Sequence, residues 1–307
     1  MEDHIMEDPK TFAYLAPEGY EKQLKNELKN CTAEYGRLFL TSEVQEGIFW
    51  AQNIWHNPII AEFESISEAA NILKGIQRNW AFYPFVEHRR AALIQAKLPF
   101  ISDKPLVFPT TLPKSNMGSW TLLNRNTLIA SSDCSSPFPN GEIHFEESKI
   151  GPPSRAYLKL WEALTYCPSM PGPGSKCLEI GSSPGGWTWV LANLKAEVIS
   201  VDRSELAPNV ERMQGVHFVK ADAFSMTPSK VSVVDWIFSD VACYPEKLLE
   251  WILLWIASGM CKNFVCTLKF QGENPYAILK EFAKIEGSRI MHLGNNKHEL
   301  TWMLNLE

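Results

Sequence analysis

The sequence has no CxxC pair, no HxxxH or HxH spacing and no long apolar run. Its seven cysteines (31, 134, 167, 177, 243, 261 and 266) form an odd, scattered set. Zinc and iron–sulfur sites call for closely paired thiolates, so no metal is expected and the cysteines read as reduced, small apolar residues. The densest apolar stretch, Trp251–Ala257, is far shorter than the roughly 20 residues that span a bilayer. Met1–Lys10 is polar and has no apolar signal core. These absences point to a cytoplasmic protein without a membrane partner. No internal repeat or low-complexity segment interrupts the chain.

Strong charge of one sign is also missing. The net charge is −6 over 307 residues, most of it in the first 150. That argues against a protein that coats nucleic acid by bulk charge, while leaving room for a local basic groove. Hydrophobic residues make up 45% and charged residues 21%, which excludes disorder and suits about two folded domains at ~150 residues each.

What is present is an alternation of short apolar runs with amphipathic stretches from Lys176 onward. Strands are expected at Lys176–Ile180, Glu197–Val201, Val216–Lys220, Val233–Phe238 and Asn263–Leu268. Helices are expected at Trp187–Leu194, Glu246–Ser258 and Tyr276–Ile285. This alternation predicts a mostly parallel, doubly wound α/β sheet covered on both faces. Arg289–Leu293 and Leu300–Leu304 close it as an antiparallel hairpin edge. A further helix, Ser154–Tyr166, precedes the first strand, with Ser154 as its N-cap. The first 150 residues predict a smaller α+β domain. Strands at Phe12–Leu15, Tyr35–Leu40 and Gly47–Gln52 mix with helices at Tyr20–Leu28 and Ser67–Ile76 in a β-α-β-β-α order of ferredoxin-like type, to which Ile59–Phe63 adds a further strand. Ser131–Asn140 reads as a turn-rich tip. The boundary falls near Ile150, giving domains 1–150 and 151–307.

The turn Gly181-Ser182-Ser183-Pro184-Gly185-Gly186-Trp187 follows a strand and opens a helix. Glycines there allow a sharp turn and close approach to a ligand. It is not GxGxxG, since Ser183 stands at the second glycine position, and Pro184 removes a donor that a pyrophosphate would use. About 20 residues on, Asp202 ends the second strand, where an acid accepts hydrogen bonds from ribose hydroxyls. Asp222, after the third strand, is placed to meet an adenine amino group. The plan is that of a nucleoside-binding Rossmann-like domain. Trp187 reads as packing the first helix to the sheet, and Trp236, Trp251 and Trp255 as core.

At Leu178–Trp187 the chain resembles the FtsJ-type ribose 2′-O-methyltransferases, whose first-strand motif reads D-L-G-x-x-P-G-G-W; here Glu179 replaces the Asp. Within that family it is similar to the 23S ribosomal RNA cytidine 2′-O-methyltransferase M group, sharing P-G-G-W-T, S-R-x-x-x-K-L (Ser154–Leu160) and a trace of P-G-F-E-K at Pro17–Lys22. The catalytic likeness covers residues 154–307. The resemblance implies S-adenosylmethionine as cofactor, RNA as substrate and partner, and a Lys-Asp-Lys-Glu tetrad at Lys159, Asp240, Lys269 and Glu299. It implies Lys269 as general base, Lys159 as the charge beside it, Asp240 as its orienter and Glu299 as orienter of the lysine pair. Cofactor contacts are expected from Gly181, Ser182, Ser183, Pro184, Gly185, Gly186, Trp187, Asp202, Asp222 and Asp240. A basic groove for RNA is sought among Arg89, Arg90, Lys97, Arg155, Lys159 and Lys176, and the N-terminal domain is expected to recognise the substrate. The competing readings are a catalytically idle RNA- or ribosome-binding relative and a small-molecule methyltransferase.

Overall fold

The structure, a computed structural model, describes residues 5–6, 11–102, 104–270 and 276–305. The chain divides into two compact units: Met1–Leu106 with Leu112–His144, and Val107–Thr111 with Phe145–Glu307.

The first unit contains β1 (Ile5–Met6), β2 (Phe12–Leu15), α1 (Glu21–Glu27), β3 (Cys31–Tyr35), β4 (Leu38–Thr41), β5 (Asn53–His56) and β6 (Ile59–Glu62). It continues through α2 (Ile66–Ile76), β7 (Trp80–Phe82), α3 (His88–Gln95), β8 (Gly118–Asn124), β9 (Thr127–Ser131) and β10 (Asp133–Cys134). These strands form two five-stranded sheets, ordered β1-β6-β9-β8-β7 and β10-β5-β2-β4-β3. The expected ferredoxin-like order is replaced by this pair of sheets. Two local misreadings explain the difference. Tyr35–Leu40 is not one strand, because Gly36, at φ +65°, and Arg37 turn the chain so that Tyr35 pairs with Leu38. Gly47–Gln52 is apolar yet forms no strand, because the Phe49 and Trp50 N–H groups both donate to the Glu27 carboxylate at 2.9 Å. Their backbone polarity is satisfied by a side chain instead of a ladder. Ala69, Ala70 and Leu73 of α2 and Ala91 and Ile94 of α3 bury against Trp80, Trp120, Leu122 and Leu128. α2 is closed by a capping box, in which Ser65 Oγ accepts from Glu68 N at 3.1 Å and Glu68 reaches back to Ser65 N.

The second unit runs α4 (Tyr157–Tyr166), β11 (Lys176–Ile180), α5 (Gly186–Asn193), β12 (Glu197–Asp202), α6 (Pro208–Glu211), β13 (Val216–Lys220) and β14 (Trp236–Ser239). Then follow α7 (Pro245–Ser258), β15 (Asn263–Lys269), α8 (Tyr276–Ala283), β16 (Ser288–Met291) and β17 (Glu299–Asn305). The sheet order is β13-β12-β11-β14-β15-β17-β16. β11 to β15 pair in parallel, and β17 lies antiparallel to both neighbours. The expected antiparallel hairpin stands at the sheet edge, with β16 outermost and the last strand internal. Burial on both faces fits the near-continuous apolar strands, with Leu178, Ile180, Phe238, Val265 and Leu268 almost wholly enclosed.

Ser154 does not cap α4. The helix begins at Tyr157 with Ala156 before it and no side-chain cap. Arg155 and Ala156 carbonyls accept from Leu158 and Lys159 at 3.1 Å, so a tighter turn leads into the helix and Ser154 Oγ accepts from Ala156 N at 3.4 Å within it.

Replacing Ser65 by alanine removes the cap of α2 and is expected to lower the stability of the first unit by about 1 kcal/mol. Urea unfolding of the full chain checks this; an unchanged midpoint would count against the capping role.

Candidate active site

Chemistry-bearing residues gather at the carboxyl edge of the parallel strands, where open α/β sheets bind ligands. After β11 the chain turns at Gly181, whose φ is +73°. A Cβ there would lie 2.5 Å from Val241 Cα, so only glycine permits both the turn and the approach of the backbone beyond β14. Gly181 and Ser183 line a cavity of about 600 Å³. Its other walls come from Asp202, Arg203, Asp222, Phe224, the segment Asp240–Tyr244, Lys247 and Lys269. The volume is that of a small-molecule site.

Asp202 ties the turn to the end of β12. Its carboxylate accepts from Ser183 N at 3.1 Å and from Ser204 N at 2.8 Å. Asp222 accepts from Phe224 N at 2.9 Å and pairs with Arg203. The Arg203 guanidinium holds its carboxyl below the usual range, against the small effect of burial. Lys247 lies over the Phe224 ring at 4.2 Å. Ser182, Pro184, Gly185, Gly186 and Trp187 stand outside the cavity wall. Ser182 is buried, the Pro184 carbonyl accepts from Ala207 N at 2.9 Å, and a Cβ on Gly185 would meet Val210 at 3.0 Å. Gly186 sits against Ser154, and the Trp187 indole donates to the Ala156 carbonyl at 2.9 Å, edge-on to Phe238.

Lys159, Asp240, Lys269 and Glu299 meet. Lys159 Nζ lies 2.9 and 3.0 Å from the two Asp240 carboxylate oxygens and 2.9 Å from Glu299 Oε1. Lys269 Nζ lies 3.1 Å from the same Asp240 Oδ1 and donates to the Asp240 backbone carbonyl at 2.5 Å. Each group has a distinct carrier. Asp240 follows the last residue of β14, Lys269 ends β15, Glu299 opens β17, and α4 lowers Lys159 from above the sheet edge. The β15–β17 register sets Lys269 directly opposite Glu299. Burial works against the Lys159 charge, but the Asp240 and Glu299 carboxylates outweigh it and hold its pKa above that of an ordinary lysine. Lys159 is thus a fixed cation. The two lysines are not alike: Lys269 lines the cavity, whereas Lys159 and Glu299 sit behind it. The contact of Glu299 is with Lys159.

Residues 152–294 match the model of the FtsJ-like methyltransferase family. The ribosomal RNA large subunit methyltransferase M of Xanthomonas campestris pv. campestris is 32% identical over 215 residues, covering 66% of this chain and 56% of the relative. The protein of the same name from Xanthomonas oryzae pv. oryzae is 34% identical over 149 residues, 46% of this chain and 42% of its own. The chain spans about half the length of these curated relatives. Among solved structures, the fibrillarin pre-rRNA processing protein of Methanococcus jannaschii superposes with a TM-score of 0.36 at 21% identity, covering 48% of this chain and 74% of that one.

Residues 152–294 are thus similar to FtsJ-like methyltransferases over just under half of the chain. Within the second unit, two of the basic-groove candidates fall away from the cavity. Lys176 opens β11 and so lies at the opposite end of the sheet, and Arg155 is paired with Glu147 at 2.9 Å. In the other unit, Arg90 stacks on Phe63 at 5.2 Å and donates to the Glu64 carbonyl at 3.0 Å. Sequence reading missed Arg203, Phe224, Cys243, Tyr244 and Lys247 as wall residues. Their common signal is position just beyond β12, β13 and β14, at the carboxyl ends of the strands. Burial pushes the Cys243 thiol up to about 11. Among the described residues no group of three or more metal-ligating side chains is placed to hold an ion, and no helix is long and apolar enough to cross a membrane.

The second unit also buries two acids. Glu179 of β11, 1% exposed, accepts from the Thr188 hydroxyl at 2.5 Å; Glu162 of α4 is 2% exposed. Burial pushes both up to about 8, against the pull of their hydrogen bonds. An acid whose native pKa lies above its unfolded value near 4.5 keeps its proton longer when folded. Its contribution to stability is full below pH 4.5 and is lost as pH rises through about 8. Stability is therefore expected to decline from pH 5 to 8, and Glu179→Gln should flatten that slope by up to about 1.4 kcal/mol per pH unit. Denaturation of both proteins across this range measures the difference; parallel curves would refute it.

Proposed function

We propose that the protein is an S-adenosylmethionine-dependent RNA methyltransferase that transfers a methyl group to a ribose 2′-hydroxyl, in 23S ribosomal RNA. The observation that carries this reading is the meeting of two lysines and two carboxylates in and behind the wall of one nucleoside-sized cavity. The names of the curated relatives support the ribosomal substrate. The cytoplasm is the expected compartment, and the first unit is assigned to recognition of the RNA.

The cavity chemistry fits the donor. Each Asp202 oxygen takes one N–H bond and keeps acceptor capacity for a ribose hydroxyl. The Asp240 carboxylate in the wall complements a sulfonium cation. Gly181, Ser183, Asp202, Asp222 and Asp240 would hold the cofactor, which when bound supplies a methyl group on positively charged sulfur.

A ribose 2′-hydroxyl is a weak nucleophile, so a base must remove its proton as it attacks. Lys269 serves as that base. A neutral amine has two N–H bonds and one lone pair. The Asp240 carbonyl and carboxylate oxygens accommodate two N–H donors, so the remaining lone pair is left for the substrate hydroxyl. Lys159 keeps its charge between Asp240 and Glu299 and shares the Asp240 carboxylate with Lys269.

Lys269→Ala is expected to cut methyl transfer by about 10²–10⁴-fold, the usual worth of a general base. Affinity for S-adenosylmethionine should be preserved. The assay follows label from the donor into RNA of a strain lacking the gene, with calorimetry for donor binding. Full transfer by this variant would sink the assignment, and label in a metabolite instead of RNA would sink the substrate.

A further inference from the structure

Lys159 and Glu162 are three residues apart on α4, so their side chains are neighbours on one face of the helix. Both reach the segment that joins β16 to β17, at opposite ends. Lys159 holds Glu299, where β17 opens, at 2.9 Å. Glu162 holds Gly294, near the start, whose N–H lies 3.0 and 2.9 Å from the two carboxylate oxygens. At the Glu299 end the β15–β17 ladder closes on the Lys269–Glu299 pair, and the remaining bracing between those points is internal to the segment and its flanks. Asn296 N donates to the Leu293 carbonyl at 2.9 Å, and Glu299 N to the Lys297 carbonyl at 2.8 Å. Asn296 Nδ2 donates to Thr301 Oγ1 at 3.1 Å, and His292 Nε2 lies 3.3 Å from the Lys297 carbonyl. None of these bonds reaches α4; the Glu162–Gly294 contact ties the Gly294 end of the segment to the helix.

We propose that Glu162 is a positioning residue for methyl transfer: it anchors the Gly294 end of the segment to α4 and thereby sets where Glu299 meets Lys159. The proposal rests on the methyltransferase reading of the tetrad. Glu162 lines no part of the donor cavity. It acts through Glu299, which holds Lys159, which shares the Asp240 carboxylate with Lys269. A displacement at Gly294 is passed along a short, internally braced segment to Glu299, and one carboxylate then leaves the buried ammonium. Burial pushes this carboxyl up to about 8, so near neutral pH it is largely protonated and an amide of the same shape is a close substitute.

The test compares Glu162→Met and Glu162→Gln in the full chain. Methionine keeps the volume and removes the acceptor; glutamine keeps both. Glu162→Met is expected to lower kcat by about tenfold or more with S-adenosylmethionine affinity within about twofold of wild type, a loss confined to the reacting state. Glu162→Gln should restore kcat to within about threefold. Crystal structures should show the Lys159–Glu299 ion pair broken with methionine and intact with glutamine. A folded methionine variant with unchanged kcat, or one whose donor affinity falls in step with kcat, overturns the proposal. If Glu162→Met does not fold, Glu162→Asp, one methylene shorter, takes its place with the same outcomes. Should wild type transfer no methyl to RNA, the proposed function fails on its own. The two crystal structures still decide the positioning role, because an intact Lys159–Glu299 pair with methionine refutes it.

Discussion

The arrangement of the second unit depends on one buried cation. Lys159 is 8% exposed, and its ammonium sits between the carboxylates of Asp240 and Glu299. An ammonium taken out of water costs several kcal/mol unless opposite charges meet it at close range. Asp240 and Glu299 lie 81 and 140 residues away along the chain. Helix α4, the end of β14 and the start of β17 must all arrive before this charge is tolerable. The same requirement draws Lys269 in, because it shares Asp240 Oδ1 with Lys159. One electrostatic demand thus couples the helix ahead of the sheet to its middle and to its last strand.

Sheet topology turns this coupling into a site. Parallel strands end on the same side, which sets Asp202, Asp240 and Lys269 around one cavity. The antiparallel insertion of β17 does something a further parallel strand would not. It brings the beginning of a strand to the edge where the others end, and so sets Glu299 opposite Lys269. The result separates two lysines of the same type by environment. One is held charged behind the cavity wall; the other forms part of the wall. The glycine turn completes the cavity by letting backbone approach backbone at Gly181 and Val241, with Asp202 fastening the turn to its neighbour strand.

The alternation of apolar strand and helix in the second half is a local property, and it is legible because strands buried on both faces need nearly unbroken apolar runs. The four tetrad residues are legible through the family resemblance, three of them at strand ends and Lys159 within a helix motif. The cavity wall is only partly so. Arg203, Phe224 and Tyr244 carry no spacing that marks them, since loops beyond parallel strands converge in space and not in sequence. The first half reads less well because its backbone groups find partners that periodicity does not register. Glu27 takes the amides of an apolar stretch that would otherwise pass for a strand, and Gly36 breaks another into a hairpin.

By itself, then, the chain of residues determined the element sequence of the second half and the glycine turn, because each is written in short-range pattern, while the four polar side chains were marked by the family resemblance that the turn carries. Only the tertiary structure decided the internal place of the last strand, the different surroundings of Lys159 and Lys269, and which turn residues reach the cavity. Those depend on distances across the sheet edge and on the exclusion of water there, which no local pattern encodes.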